Sequence, residues 1–153
     1  MIMPILYKRA SDGGISVCTP VISIDDPEGF TTEDAYARAY AKDIPHDALE
    51  VTRINHGDID LTDVFRDAWA SMNPDKTFIY HAQKAKDIVD QKLQDEMRGY
   101  VDKSNLLTKM GRDTAGVQAS IADCRSRVSQ LDNSTIPKFT DAATLNTLKS
   151  LIN

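Results

Sequence analysis

Residues 82–131, AQKAKDIVDQKLQDEMRGYVDKSNLLTKMGRDTAGVQASIADCRSRVSQL, decide how this chain is built. Ala85, Ile88, Val89, Leu93, Met97, Tyr100 and Val101 step by three and four, with Lys, Asp, Gln and Glu between them. One apolar stripe at that period predicts an amphipathic helix. Gly111-Arg112-Asp113-Thr114 interrupts it, and a second stripe follows at Val117, Ile121, Cys124, Val128 and Leu131. Two stripes across a short break predict an antiparallel helical hairpin with a coiled-coil-like seam. Ala, Cys and Met are weak seam residues, so the hairpin needs further burial to be stable.

The flanking sequence has other periods. Downstream, Pro137 closes the region, and TDAATLNTLKSLI forms a short helix with Leu145, Leu148, Leu151 and Ile152 on one side. Upstream, Asn73-Pro74-Asp75-Lys76 is a turn, because Pro fixes φ while Asn and Asp bond back to the backbone. The pieces beside it, Val64–Ala70 and Thr77–His81, suit two strands, with a helical turn over 63–69 as the alternative for the first. Near the start, Asp12-Gly13-Gly14 tolerates positive φ and predicts a tight hairpin between Ile5–Arg9 and Ile15–Thr19. Pro20 and Pro27 mark a loop. Thr31 or Thr32 then caps a short helix through TTEDAYARAYAKD, and Glu50–Asn55 alternates as a strand. The expected fold is α+β: a small antiparallel sheet with one helix, an antiparallel helical hairpin, and a short C-terminal helix. The expected divisions are a module at 1–81, the hairpin at 82–131, and a terminal loop and helix at 132–153.

Composition limits the function. Among 153 residues, 18 Lys and Arg stand against 23 Asp and Glu, for a net charge of −5. Duplex nucleic acid is bound mainly by neutralising phosphates, and no basic cluster offers that here. Lys84/Lys86 and Arg125/Arg127 alternate with acids and read as solvated helix faces. Aromatic residues are only 7 % of the chain, so a core must be aliphatic and thin, or completed by a partner. Cys18 and Cys124 read as free thiols of a reducing compartment. No apolar run approaches membrane-spanning length, and Met1–Ala10 lacks the pattern of a signal peptide. No membrane partner is expected.

No motif for chemistry emerges. Asp58-x-Asp60-x-Thr62 begins like a calcium loop, which also needs Gly sixth and Glu twelfth. Those places hold Asp63 and Trp69. His46, His56 and His81 lack the close ligand pairing of a zinc site. The glycine spacing makes neither a phosphate loop nor a dinucleotide fingerprint, and no nucleophile elbow is present. No cofactor, metal, small-molecule substrate or enzymatic activity is therefore expected. Phe65, Arg66 and Trp69 instead suit either an aromatic anchor inside the fold or a docking hot spot, since Trp and Arg dominate interface energetics. With Ile88, Leu93 and Met97 of the first stripe they are the candidate protein-binding residues.

These residues resemble a family. Tyr7, Arg9, Asp12, Gly13, Gly14, Ser16 and Val17 open the chain, and Phe65, Arg66, Ala68 and Trp69 follow. Lys84, Ala85 and Ile88 then start a charged helix, and Thr144 and Leu148 lie near the end. This order is similar to small phage and prophage proteins encoded among tail genes, and the second half resembles tail assembly chaperone-like proteins. Thr62, Asp63 and Val64 stand where the family often has Pro and a basic residue, and Leu131-Asp132 where it often has Leu-Arg-Asp. The resemblance implies a bacteriophage structural protein of the virion, in the tail or head–tail region and made in the host cytoplasm. It would bind other phage proteins and form a homo-oligomer. A transient tail or tail-fibre assembly chaperone, absent from the virion, is the alternative, and an acidic inhibitor of a host protein is a further one.

Overall fold

The computed structural model describes residues 1–152. The chain is α+β, with small antiparallel sheets, a long helical hairpin and a short terminal helix. It divides into two compact units, one spanning Met1–Ile79 and a second beginning at Tyr80.

The first unit starts with β1 (Ile5–Lys8) and β2 (Ile15–Cys18), paired antiparallel from Ile5↔Cys18 to Lys8↔Ile15. The turn forms because Gly13 takes φ +68°, which lets its N–H donate to Arg9 O at 3.0 Å while Arg9 N–H donates to Gly14 O at 2.8 Å. A side chain at that φ would cost about 1–2 kcal/mol. β3 (Leu49–Arg53) pairs with the other side of β1, giving the order β2-β1-β3.

α1 (Thr32–Lys42) begins with a reciprocal cap. Asp34 N–H donates to Thr31 Oγ1 at 3.2 Å, and Thr31 N–H donates to Asp34 Oδ2 at 2.7 Å, satisfying two otherwise orphaned donors. Tyr36 and Ala39 of α1 pack with Ile5 and Ile44 in the core. Arg53 lies 3.6 Å over the Tyr36 ring and forks onto Glu33 at 3.0 and 3.1 Å, fastening β3 to the helix.

The expected strand over Val64–Ala70 is shorter than its sequence pattern. A single 3₁₀ turn forms at Arg66–Ala68, and β4 starts only at Trp69 and runs to Met72. Asp63 is the reason. It accepts the Phe65 N–H through its side chain at 2.9 Å and the Arg66 N–H through its carbonyl at 3.0 Å, which winds the backbone instead of extending it. The Asn73–Thr77 turn then leads into β5 (Phe78–His81).

The second unit is helical. α2 (Ala82–Lys109) and α3 (Ala115–Asp132) form the expected hairpin. α2 stops in a Schellman arrangement: Gly111 takes φ +68°, its N–H donates to Thr108 O at 3.0 Å, and Arg112 N–H donates to Leu107 O at 2.9 Å. The buried seam is Ala82, Ala85, Val89 and Leu93 against Val117, Ile121, Cys124 and Leu131. The stripe drifts at 3.6 residues per turn. Val101, expected on it, is exposed, and Ser104 is buried instead, accepting a 2.9 Å hydrogen bond from Gln118 Nε2. β6 (Phe139–Thr140) had no sequence signal; it pairs through Tyr80↔Thr140 and His81↔Phe139. α4 (Ala142–Lys149) is capped by Asp141, which accepts the Thr144 N–H at 2.9 Å, and it buries Leu145 and Leu148.

Two glycine substitutions separate backbone strain from packing. A Cβ at Gly99, inside α2, or at Gly111 meets nothing within 4 Å. Gly99→Ala should raise unfolding free energy by about 0.5–1 kcal/mol. Gly111→Ala should lower it by about 1–2 kcal/mol, through the positive φ alone. Denaturant midpoints measure both.

Candidate functional site

The polar residues of the N-terminal motif form one network. Arg9 Nε and Nη2 donate to the two carboxylate oxygens of Asp12 at 2.8 and 2.9 Å, and Nη1 donates to Ser16 Oγ at 2.7 Å. Asp12 also accepts the Gly14 N–H at 3.0 Å. A Cβ at Gly14 would collide with the Arg9 guanidinium, so the second glycine makes room for that arginine. The hydrogen bond to Asp12, chiefly, raises the Arg9 pKa above its ordinary value.

This network is one wall of a cleft of about 490 Å³, to which Tyr7, Ile15 and Val17 also contribute. Asp63, Val64, Arg66 and Asp67 line it too. Asp63 sets the second wall, because its carboxylate accepts the Trp69 Nε1–H at 2.9 Å as well as the Phe65 amide. Trp69 in turn stacks on Phe78, with ring centroids 3.9 Å apart and planes within 3°. Arg66 and Asp67 are left exposed beside the cleft.

Among the candidate residues, Phe65 is 4 % and Trp69 1 % exposed, so both act from inside the protein, and Arg66 alone of that trio meets solvent. In the second unit Leu93 is buried, whereas Ile88 and Met97 are half-buried. Two residues that organise these places gave no signal. In the sequence Asp63 shows only as the residue in the calcium loop's glycine place. Arg127 read as a solvated helix face, and the structure corrects that: its side chain is 17 % exposed. It forks onto Glu96 at 3.1 and 2.8 Å, reaches Asp123 at 3.0 Å, and donates to the Leu151 carbonyl at 2.7 Å. Lys86 departs likewise, donating to Ser134 O at 2.6 Å.

Among the described residues no group of three or more His, Cys, Asp or Glu is placed to hold a metal ion, and no helix is long and apolar enough to cross a membrane. No protein-family model, curated protein or solved structure matches the chain.

Truncating the buried ring, Trp69→Ala, should cost about 3–5 kcal/mol of stability. Asp63→Ala should cost about 1–3 kcal/mol, since it leaves a buried indole N–H and a backbone amide without their acceptor. Thermal or urea unfolding tests both. The Arg127 fork, chiefly, holds the Glu96 carboxyl below the usual glutamate pKa. A depressed folded-state pKa contributes stability above the unfolded value, about 4.3, and that contribution fades as pH falls through the folded value. Glu96→Gln should therefore show a shallower loss of melting temperature below about pH 4.3 than the parent chain.

Proposed function

We propose that this chain is a non-enzymatic structural component of a tailed-phage particle, in the tail or head–tail region, acting through contacts with other phage proteins and with copies of itself. The setting comes from the sequence resemblance. The contact mechanism is supported by the placement of large apolar side chains in solvent.

The observation that carries it is the loop of residues 20–31. Val21 and Ile22 are exposed there, and Ile24 is 100 % exposed. The loop is nevertheless tied down: Arg38 donates to Asp26 Oδ1 at 2.6 Å and to Val21 O at 2.6 Å, and its guanidinium sits 4.8 Å from the Phe30 ring. An apolar cluster displayed on a fastened loop pays little ordering entropy on association, which is the economy of a docking element. In the second unit, Leu106 and Met110 are exposed four residues apart, at the spacing that puts two side chains on one helix face.

Mass spectrometry of purified particles tests the reading. A fixed copy number per particle is expected. Absence from particles, with binding to a tail or fibre protein during expression, would replace it with an assembly chaperone. The triple change Val21→Ser, Ile22→Ser, Ile24→Ser should leave unfolding free energy within about 0.5 kcal/mol of the parent, because the side chains are exposed. It should also abolish incorporation into particles.

A further inference from the structure

We propose that the outer edge of β2 and the adjoining cleft bind an extended peptide segment of a partner protein, added as a fourth strand, with Arg66 gripping a carboxylate on that segment. The inference rests on the contact-based reading above and names one site and one kind of partner for it.

The hydrogen-bond phase of the β1–β2 ladder comes first. The Arg9 N–H to Gly14 O bond makes that pair a hydrogen-bonded one. Antiparallel pairs alternate. Tyr7/Ser16 and Ile5/Cys18 therefore exchange backbone bonds, while Lys8/Ile15 and Leu6/Val17 do not. The N–H and C=O of Ile15 and Val17 point away from β1, and the order β2-β1-β3 places no strand of that sheet on their side. The Ile15 carbonyl is met by Arg9 Nη1 at 3.4 Å, which leaves Val17 as the centre of the edge.

The opposite edge has been blunted. The β1–β3 pairing shifts register between Leu6 and Lys8, and Glu50 takes φ +49°, the kind of irregularity that discourages strand addition. β2 keeps an unbroken register over its four residues. Pro20, two residues past its end, limits how far an added strand can run.

The cleft supplies selectivity. Ile15, Ser16 and Val17 line it along β2, with Tyr7 of β1 beside them. Arg9 there is already answered by Asp12. Arg66 is exposed, and among the described residues it makes no ion pair. A planar guanidinium in that position matches a carboxylate fork. Asp67 next to it, also exposed, disfavours a polyanion such as nucleic acid and favours a segment with a single acid among neutral residues. Main-chain pairing would give affinity and the Arg66 contact specificity.

The probe is a displayed library of random short peptides selected on the full chain, followed by synthesis of the tightest binder. Alternating β-forming residues with one Asp or Glu are expected, with protection of the Val17 amide from hydrogen exchange on binding. Methylating the peptide amide that faces Val17 should abolish binding. Arg66→Glu, at an exposed position, should keep the parent melting temperature, weaken the selected peptide by about tenfold or more, and turn selection toward Lys or Arg. Three outcomes overturn the proposal: no peptide tighter than about 1 mM, binders that leave Val17 exchange unchanged, or a peptide-free dimer that protects Val17 and so seats a second copy there. Absence of the chain from particles while peptides still bind Val17 would remove the virion reading alone.

Discussion

The second unit is governed by how little its helical seam can bury. Ala82, Ala85, Cys124 and Ser104 occupy core positions where a self-sufficient hairpin would carry leucine or isoleucine. At about 25 cal/mol per Å² of apolar surface removed from water, small seam residues leave two helices short of what conformational entropy demands. Two features make up the difference. α4 packs against α2 and contributes Leu145 and Leu148 to the core. Arg127 then joins α2, α3 and the chain beyond α4 by donating to Glu96, Asp123 and Leu151 O at once. A helix pair that is marginal in isolation becomes one cooperative body with a third helix, closed by a charge held mostly out of water.

Arginine does the same work in the first unit. Arg9 closes the β1–β2 turn, Arg38 fastens the loop of residues 20–31, and Arg53 clamps β3 to α1 through Glu33 and the Tyr36 ring. Isolated surface ion pairs contribute only about 0–1 kcal/mol. These four differ because each fork also takes a backbone carbonyl, a hydroxyl or an aromatic face, fixing geometry in a chain with few large rings. Aromatic scarcity implies thin packing. Its structural consequence is that guanidinium groups do much of the positioning.

What the sequence discloses and what it conceals divide along the range of the interactions. The break at Gly111, the Thr31 cap, the turn at Gly13 and the inner parts of the α2 and α3 stripes are local patterns, and each forms where periodicity or capping chemistry places it. Asp63 depends on a tryptophan six residues away, Arg127 on a glutamate 31 residues away, and β6 on a strand some 60 residues earlier. Nothing in the identity of those residues distinguishes them from solvated neighbours. The register of the outer seam was hidden for a different reason. Val101 satisfied hydrophobicity but not phase, and a buried serine took the place that phase required. As for the candidate site, Phe65 and Trp69 were conspicuous by size, whereas the cleft they support is lined by the less conspicuous Tyr7, Ser16 and Asp67.

That division bears on how recognition could be separated from folding here. Asp63 and Arg9 each spend several hydrogen bonds on internal structure, so altering them disturbs the walls of the cleft before any ligand is considered. The stacked pair Trp69–Phe78 is tied to the same wall through the Trp69 Nε1–H bond to Asp63. Arg66, exposed on that wall, has no comparable internal duty, and Val17 adds its outward N–H and C=O. A site of this construction has its cost met in the fold: the aromatic and carboxylate groups that immobilise the wall are buried, and the groups left outside are few, charged or main-chain. Preorganised donors on a rigid edge lose little entropy when a segment pairs with them. Selectivity would then rest on the side chains of that segment, one of them read by a single arginine.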